Sequence, residues 1–377
     1  MDFSLTETQR MLAETTDRLV HERYGFEERK KIIAGPDGFS RAMWAQFAEL
    51  GLTGIGIDEA HDGLGGGMAD LAVVAEAFGR ALVVEPYMPT LVLGAGTLGL
   101  AGSDAQKARI LPQVVAGECF LALAHGEPKS RYTLCHVETK AVADGSDHLL
   151  TGAKAVVLGG DAADHFLVSA RTDGADSNPH GISLFLVPRD APGLAIRAYA
   201  NIDGTRAADL TLDRVRVPAE ARIGQLGHGL PIVTHAIDRA IAYLAAEAVG
   251  AMEALNALTL DYLKTRTQFG QPIGAFQVLQ HRMVDMAVAL EQARSMAILA
   301  CDRADDTHPH ERQRAISAAK VQIGRSGRLI GQSAVQMHGG IGITDEYIGG
   351  HYFKRLTLID RTFGDADHHL SRFAAAA

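Results

Sequence analysis

Three cysteines in 377 residues, Cys119, Cys135 and Cys301, are scattered and odd in number, so no disulfide framework is indicated. Their scatter does not indicate a zinc site either. Such usage suits a reducing, cytoplasmic setting. Also missing is any run approaching the ~20 apolar residues of a membrane helix. The N-terminus, Met1-Asp-Phe-Ser-Leu-Thr-Glu-Thr-Gln-Arg10, is charged from its second residue, unlike a secretory signal. No membrane association is expected. Basic residues are outnumbered, 36 Lys and Arg against 45 Asp and Glu, and the net charge of −9 leaves no basic face for nucleic acid. An anionic ligand must therefore be met by local cations. No internal repeat or low-complexity linker is present.

What is there is apolar material, 47% of residues, enough to bury two or three cores. Its periodicity changes twice. Residues 1–116 read as helices: Thr6 caps one that runs through Leu12 and Leu19, 39–50 is amphipathic and holds the only tryptophan, Trp44, and 69–82 and 105–115 are two more. The glycine-dense Gly63-Leu-Gly-Gly-Gly67 has Met68 where a dinucleotide fingerprint needs its last glycine, and no strand clearly precedes it, so it reads as a turn. Between 117 and 226 the period falls to two. Short runs at 120–124, 137–142, 148–158, 165–170, 181–187, 194–200 and 208–217, separated by Gly, Asp, Asn and Pro, describe a small β-barrel or sandwich. From 227 to 377 the helical period returns in segments 231–265, 275–303, 309–338 and 345–373, the lengths of a four-helix bundle. The expected fold is α+β: an N-terminal helical domain (1–116), a middle β domain (117–226) and a C-terminal bundle (227–377).

The stretch Arg266-Thr-Gln-Phe-Gly-Gln-Pro-Ile-Gly-Ala-Phe-Gln-Val-Leu-Gln-His281 joins the first two bundle segments. Gly270 and Pro272 stop the helix before it, leaving Arg266 at a helix end where its planar fork of donors can meet a phosphate, with the Gln268 and Gln277 amides nearby. This run resembles the acyl-CoA dehydrogenase family, in which Arg-x-Gln-Phe-Gly-x-Pro-Ile-x-x-Phe-Gln-x-x-Gln links two helices of the C-terminal bundle. Gln336-Met-His-Gly-Gly-Ile-Gly-Ile-Thr-Asp-Glu346 resembles a second family signature, and Leu50-Gly-Leu-Thr-Gly-Ile-Gly-Ile-Asp-Glu-Ala-His-Asp-Gly-Leu-Gly-Gly67 a looser third. Helix, β, helix is also the family's domain order. The resemblance implies FAD as cofactor, an acyl-CoA substrate oxidised at Cα–Cβ, and electron-transfer flavoprotein as acceptor. It implies further that Arg266, Gln268, Phe269, Gln336, Gly339 and Gly340 reach FAD bound to a neighbouring subunit, hence a homo-oligomer or a heterotetramer with a large subunit.

Dehydrogenation needs a base for the weakly acidic α-proton and donors for the thioester oxygen, one of which in this family is a backbone N–H. The glutamate that most members place in the last helical region falls here on Gly364, of Phe363-Gly-Asp-Ala-Asp-His-His369, which has no base to offer but keeps its N–H. A minority places the base on the first bundle helix just before an arginine. That dipeptide is Asp238-Arg239, and Asp238 shares its helix face with Ala242, Ala245 and Val249, small apolar neighbours that raise carboxylate basicity. Glu247 is about half a turn out of phase with it. Asp238 is thus the first candidate base, against a structural Asp238-Arg239 pair; Asp365 is the second, reached by a one-residue shift of alignment. Adjacent His368 and His369 point in different directions on a helix, so they read as a polar cluster and not as metal ligands.

The flavin loop is altered too. Leu123-Ala-His-Gly-Glu-Pro-Lys-Ser-Arg-Tyr132 keeps Glu127-Pro128 but sets His125 and Gly126 where the family's loop begins, with Gly126 at the usual threonine. Lys129 and Arg131 replace small residues and could meet coenzyme A phosphates, or form an exposed basic turn; Arg131 and Arg239 are the substrate-binding candidates. Val156-Val157-Leu158 replaces Trp-Ile-Thr, leaving backbone donors at Val157 and Leu158 for the isoalloxazine edge, and a further hydroxyl is lost at Ala366. These departures resemble the small subunit of two-subunit enzymes of the pimeloyl-CoA dehydrogenase type. A supporting subunit whose partner supplies the base, and a flavin oxidase or monooxygenase on the same fold, are the alternatives the residues leave open.

Overall fold

The computed structural model describes residues 5–376. Six α-helices come first: α1 (Glu7–Arg23), α2 (Phe26–Ala34), α3 (Arg41–Glu49), α4 (Met68–Ala81), α5 (Gly96–Ala101) and α6 (Asp104–Val115), with a π-helical stretch, Met88–Ala95, leading into α5. Eight strands follow: β1 (Leu121–Ala124), β2 (Lys140–Asp144), β3 (Asp147–Leu158), β4 (His165–Arg171), β5 (Ile182–Pro188), β6 (Leu194–Ala200), β7 (Arg206–Val217) and β8 (Arg222–Ile223). The C-terminal part holds α7 (Gly229–Thr265), a hairpin of β9 (Thr267–Gln268) and β10 (Gln271–Pro272), then α8 (Gln277–Arg303), α9 (Pro309–His338), α10 (Ile348–Arg361) and α11 (Ala366–Ala375). Contact density groups the residues before Ile32, Met68–Val83 and everything from Ile241 onward into one unit; Ile32–Gly67 and Val84–Ala240 form the other.

In the β-containing unit the strands join in one sheet, in the order β6-β7-β3-β2-β4-β5-β8, with β1 added to β4 in parallel. Strands β4 and β5 are buried at nearly every position and therefore read as continuous apolar runs, whereas β7 alternates. Phe166, Phe185, Leu150, Val168, Val187, Leu210 and Val215 fill the core of the sheet. Pairing of β3 with β7 slips twice, between Leu150 and Gly152 and between Lys154 and Val157, and the second bulge forces Val156 to φ +53°.

In the helical unit, capping starts α1: Thr6 accepts from the Gln9 N–H while the Gln9 side chain returns to the Thr6 N–H. Helices α4 and α7 meet backbone to backbone. A Cβ on Gly79 would stand 1.9 Å from Glu247 O, and one on Gly250 would stand 1.9 Å from Glu76 O. α7 is long and apolar enough to cross a membrane, yet 78% of that apolar window is buried inside the protein, as in a core helix.

Segment 309–338 falls on α9 to the residue, since Pro309 opens the helix and Gly339 closes it at φ +66°. The fourth expected bundle segment, 345–373, is not one helix. It breaks between α10 and α11, where Phe363 and Gly364 take φ +60° and +114° and Asp365 caps the new helix. The stretch from Met88 through α5 went unread because it is buried almost all round, which leaves no polar face to set a period.

The glycine contact yields a stability prediction. Gly250→Ala puts a methyl into the Glu76 carbonyl, which belongs to a packed helix and cannot swing aside, so the loss is expected to reach roughly 3 kcal/mol, the upper end of ordinary overpacking. Denaturant unfolding measures it; a loss below about 0.5 kcal/mol would mean that α4 and α7 do not touch in this way.

Candidate active site

In the β unit, the end of β1 and the bulge of β3 are tied together. Ala155 N–H donates to Gly126 O at 2.8 Å, and a Cβ on Gly126 would lie 3.1 Å from Ala155 O. The His125 ring turns inward, with Nδ1 2.9 Å from Ser169 Oγ, so at this position only the backbone of His125 and Gly126 could be offered to a cofactor. Beneath them lies a buried ion pair that the sequence reading did not single out. Lys154 Nζ donates to Glu127 Oε1 at 2.7 Å, Ser169 Oγ at 3.0 Å and His125 O at 3.3 Å. Glu127 also accepts from the N–H groups of Glu138 and Thr139. Burial would raise the Glu127 carboxyl, but Lys154 and these donors hold it below the usual carboxylate range. Burial pulls Lys154 down to about 8 against the attraction of Glu127, and brings His125 down to about 3. At neutral pH the cluster is therefore an ion pair beside a neutral imidazole.

Val157 is buried and Leu158 half-buried. Successive strand residues turn their N–H groups to opposite edges, so one of the two faces away from β7, onto an edge that β2 leaves uncovered beyond Thr151. Val156, where the family's tryptophan falls, is exposed, and its N–H donates to Asp209 Oδ1. Arg131 is exposed at φ +47°; Lys129 is paired with Glu138 at 3.1 Å.

In the helical unit, the two glycine-rich signatures come to one place. Tyr262, one turn from the end of α7, stacks on His338, the last residue of α9, with ring centroids 4.5 Å apart, and His338 meets Tyr347 at 5.0 Å. The end of α7, from which the hairpin carrying Arg266, Gln268 and Phe269 leads off, thereby meets the end of α9, where Gln336, Gly339 and Gly340 lie. The turn between β9 and β10 has φ +52° at Phe269 and +78° at Gly270, the geometry of a tight hairpin, and it leaves Phe269 91% exposed. Arg266, Gln268, Gln277, Gln336, Gly339 and Gly340 are exposed as well, and among the described residues no ion pair engages Arg266. A side chain built on Gly339 or Gly340 would meet nothing within 4 Å. An uncommitted guanidinium, amides and an approachable glycine backbone fit the pyrophosphate and adenosine of FAD.

The acid–base candidates differ in what surrounds them. Asp238, in the third turn of α7, is fully buried, and Arg239 is half-buried with its guanidinium against Gly96, where a Cβ would lie 3.3 Å from Nη1. Asp365 caps α11 by accepting from His368 N–H at 3.0 Å and pairs with Arg361 at 3.1 Å. That backbone hydrogen bond and the Arg361 charge hold its carboxyl below the ordinary range. At Gly364 a Cβ would lie 2.5 Å from His368 Cδ2 and 2.8 Å from His369 Nε2, so the histidines stand where a glutamate side chain would begin. Glu247, out of phase with Asp238, forms a two-point bridge to Arg355 at 2.5 and 2.7 Å. Residues 108 positions apart carry no local signal for such a pair.

Comparison with known proteins covers the same ground. Residues 6–118 match the family "Acyl-CoA dehydrogenase, N-terminal domain", 122–215 its middle domain and 227–377 its C-terminal domain. The probable acyl-CoA dehydrogenase YngJ of Bacillus subtilis is 30% identical over 92% of either chain. Among solved structures, butyryl-CoA dehydrogenase from Megasphaera elsdenii is similar with a TM-score of 0.91 at 25% identity, covering 100% of this chain and 99% of that one. A variant of the steroid ACAD Tcur3481-Tcur3483 is similar with a TM-score of 0.88 at 30% identity, covering 98% and 97%.

Two outcomes are expected. Gly364→Glu should not supply a base; it should lower stability by roughly 1–3 kcal/mol, because φ +114° is strained for any L side chain, and a melting curve unchanged from wild type would refute the glycine requirement. Buried His125 makes stability depend on pH. Its pKa lies at about 3 when folded and at its ordinary 6.5 when unfolded, so stability is whole above 6.5 and falls with pH toward 3, as the unfolded chain takes up a proton the native state refuses. His125→Gln should flatten that acid slope in urea midpoints; an unaltered slope would show that this ring does not titrate so.

Proposed function

From this chain's membership of the acyl-CoA dehydrogenase family, we propose that its FAD-dependent dehydrogenation of an acyl-CoA uses Asp238 as base and the Gly364 N–H as donor to the thioester oxygen. The observation that carries this reading is the crowding at Gly364, which leaves no room for a terminal glutamate while Asp365 is committed as a helix cap. Asp238, fully buried on α7, then remains as the candidate base. When bound, FAD supplies the acceptor for the hydride that leaves Cβ. Asp238 withdraws the Cα proton, and the Gly364 N–H, buried and glycine-bound, meets the charge that grows on the thioester oxygen. Arg239 and Arg131 face the anionic coenzyme A moiety. The backbone of His125, Gly126, Val157 and Leu158 serves the isoalloxazine end, and Arg266, Gln268, Phe269, Gln277, Gln336, Gly339 and Gly340 serve the adenosine and pyrophosphate end. The functional division is 1–116, 117–226 and 227–377, a reading supported by where the three family matches begin and end. The acceptor of the electrons is an electron-transfer flavoprotein, in the cytoplasm.

We infer further that the working form contains more than one subunit, copies of this chain or this chain with a larger relative. The exposed Phe269, together with Val278, Val284 and Val288 on the outer side of α8, supports it. Arg266→Ala should then reduce FAD content; a monodisperse monomer with full flavin occupancy would sink the idea.

Asp238→Asn keeps shape and hydrogen bonding but removes the charge, so turnover should drop by at least about a hundredfold with flavin content unchanged. Asp238→Glu should retain measurable turnover and Asp365→Asn most of it. If Asp365→Asn is inactive and Asp238→Asn active, the base lies in the terminal loop. If neither matters and an added partner chain restores turnover, the base belongs to the partner.

A further inference from the structure

We propose that His369, oriented by Ser317, is a positioning residue for the Gly364 N–H: it fixes and polarises the peptide group that donates to the thioester oxygen. The inference rests on the role proposed above for Gly364. Phe363 C=O and Gly364 N–H belong to the same peptide. His369 Nε2 lies 3.0 Å from Phe363 O, and since a carbonyl can only accept, Nε2 must carry the proton. In a neutral ring Nδ1 then accepts, so Ser317 Oγ donates to it across 3.3 Å. A chain of two hydrogen bonds thus runs from a hydroxyl on α9 through an imidazole on α11 to the peptide between α10 and α11.

Three physical effects follow. In a trans peptide the N–H points opposite to the C=O, so anchoring Phe363 O sets the direction of the Gly364 N–H. Accepting a hydrogen bond also draws electron density to the carbonyl oxygen and makes the N–H a better donor, by roughly 10–30% per bond. Among the described residues that N–H has no protein acceptor of its own. Finally, both His369 and Ser317 are buried, at 1% and 0% exposure, so water does not compete for the chain. Burial first, and then the Lys320 ammonium, hold the His369 pKa at about 3, which keeps the ring a neutral donor over the working range. Lys320 steadies the same loop from the other side, donating to Ile359 O at 2.5 Å and Asp360 O at 3.0 Å where α10 ends.

The test uses the flavin-loaded protein and acetoacetyl-CoA, whose enolate absorbs at long wavelength when it stacks on an oxidised flavin. Following that band against pH gives the apparent pKa of the bound ligand, which an oxyanion donor lowers. In Ser317→Ala and His369→Leu the apparent ligand pKa should rise by about one unit, a tenfold loss of bound enolate and less than the loss of a whole donor, while kcat falls and KM holds. His369→Gln, with an amide N–H for Phe363 O and a carbonyl for Ser317, should restore the wild-type value. Should His369→Leu fail to fold, Ser317→Ala and His369→Gln decide. An unshifted ligand pKa in Ser317→Ala, or a His369→Gln as impaired as His369→Leu, overturns the positioning role and leaves the Gly364 reading intact. A wild-type protein that binds acetoacetyl-CoA without any band overturns the Gly364 reading, and this inference with it.

Discussion

In the helical unit two backbones touch, and what lies around that contact follows from it. Gly79 and Gly250 let α4 and α7 approach until each glycine faces the other helix's carbonyl, Glu247 O and Glu76 O. The side chains of those same two glutamates then point to opposite neighbours. Glu247 ties α7 to α10 through Arg355, and Glu76 ties α4 to α8 through Arg294 at 2.6 Å. A larger residue at either glycine would move both anchors, and with them the helix that delivers the Phe363–Gly364 turn. Packing of this kind has two arrangements, touching or displaced, with little in between.

Two of the buried charges, Lys154 and Lys320, hold backbone. Burying an ammonium costs several kcal/mol unless it is paired and fully bonded. Lys154 meets that condition with a carboxylate, a hydroxyl and a carbonyl; Lys320 has two carbonyls at a helix end, and burial pulls it down to about 7. Hydrophobic side chains of equal volume would stabilise the fold as well, but they would not fix where a loop's carbonyls point. Lys154 holds His125 O in the segment that carries Gly126; Lys320 holds Ile359 O and Asp360 O just ahead of Gly364. Both lysines therefore fix backbone next to the N–H groups that the proposed reading uses.

Much of the fold was legible, and the reasons differ by element. The strands announced themselves by period and by the Gly, Asp and Pro between them; α9 was bracketed by Pro309 and Gly339. The stretch 88–101 was silent because burial on every side leaves no pattern. The break at Phe363 was silent for another reason: a single glycine in a polar segment does not reveal whether its φ is positive. Among the candidate site residues, Arg266 and its hairpin are proposed from a long local motif, and so is the loss of a glutamate at Gly364. Lys154 with Glu127, 27 residues away, and His369 with Ser317, 52 away, could not be read in this way. A lone lysine in a strand or a histidine near a terminus looks like solvated surface until the fold buries it.

In the proposed reading, a base on α7 and an oxyanion donor on the terminal loop divide two tasks that a glutamate at the loop position would combine. That glutamate would need a backbone acceptable to an L residue, and the direction of its own N–H would be limited accordingly. Glycine at φ +114° is free of that limit, so the loop can be shaped for the N–H alone and braced by His369 against Phe363 O. The carboxylate, moved to a helix interior, loses the reach of a loop but gains fixed placement, and aspartate with one methylene fewer has less rotamer freedom to lose. On that reading, the two departures from the commoner pattern, glycine for glutamate on the loop and aspartate before arginine on α7, are one change in the division of labour.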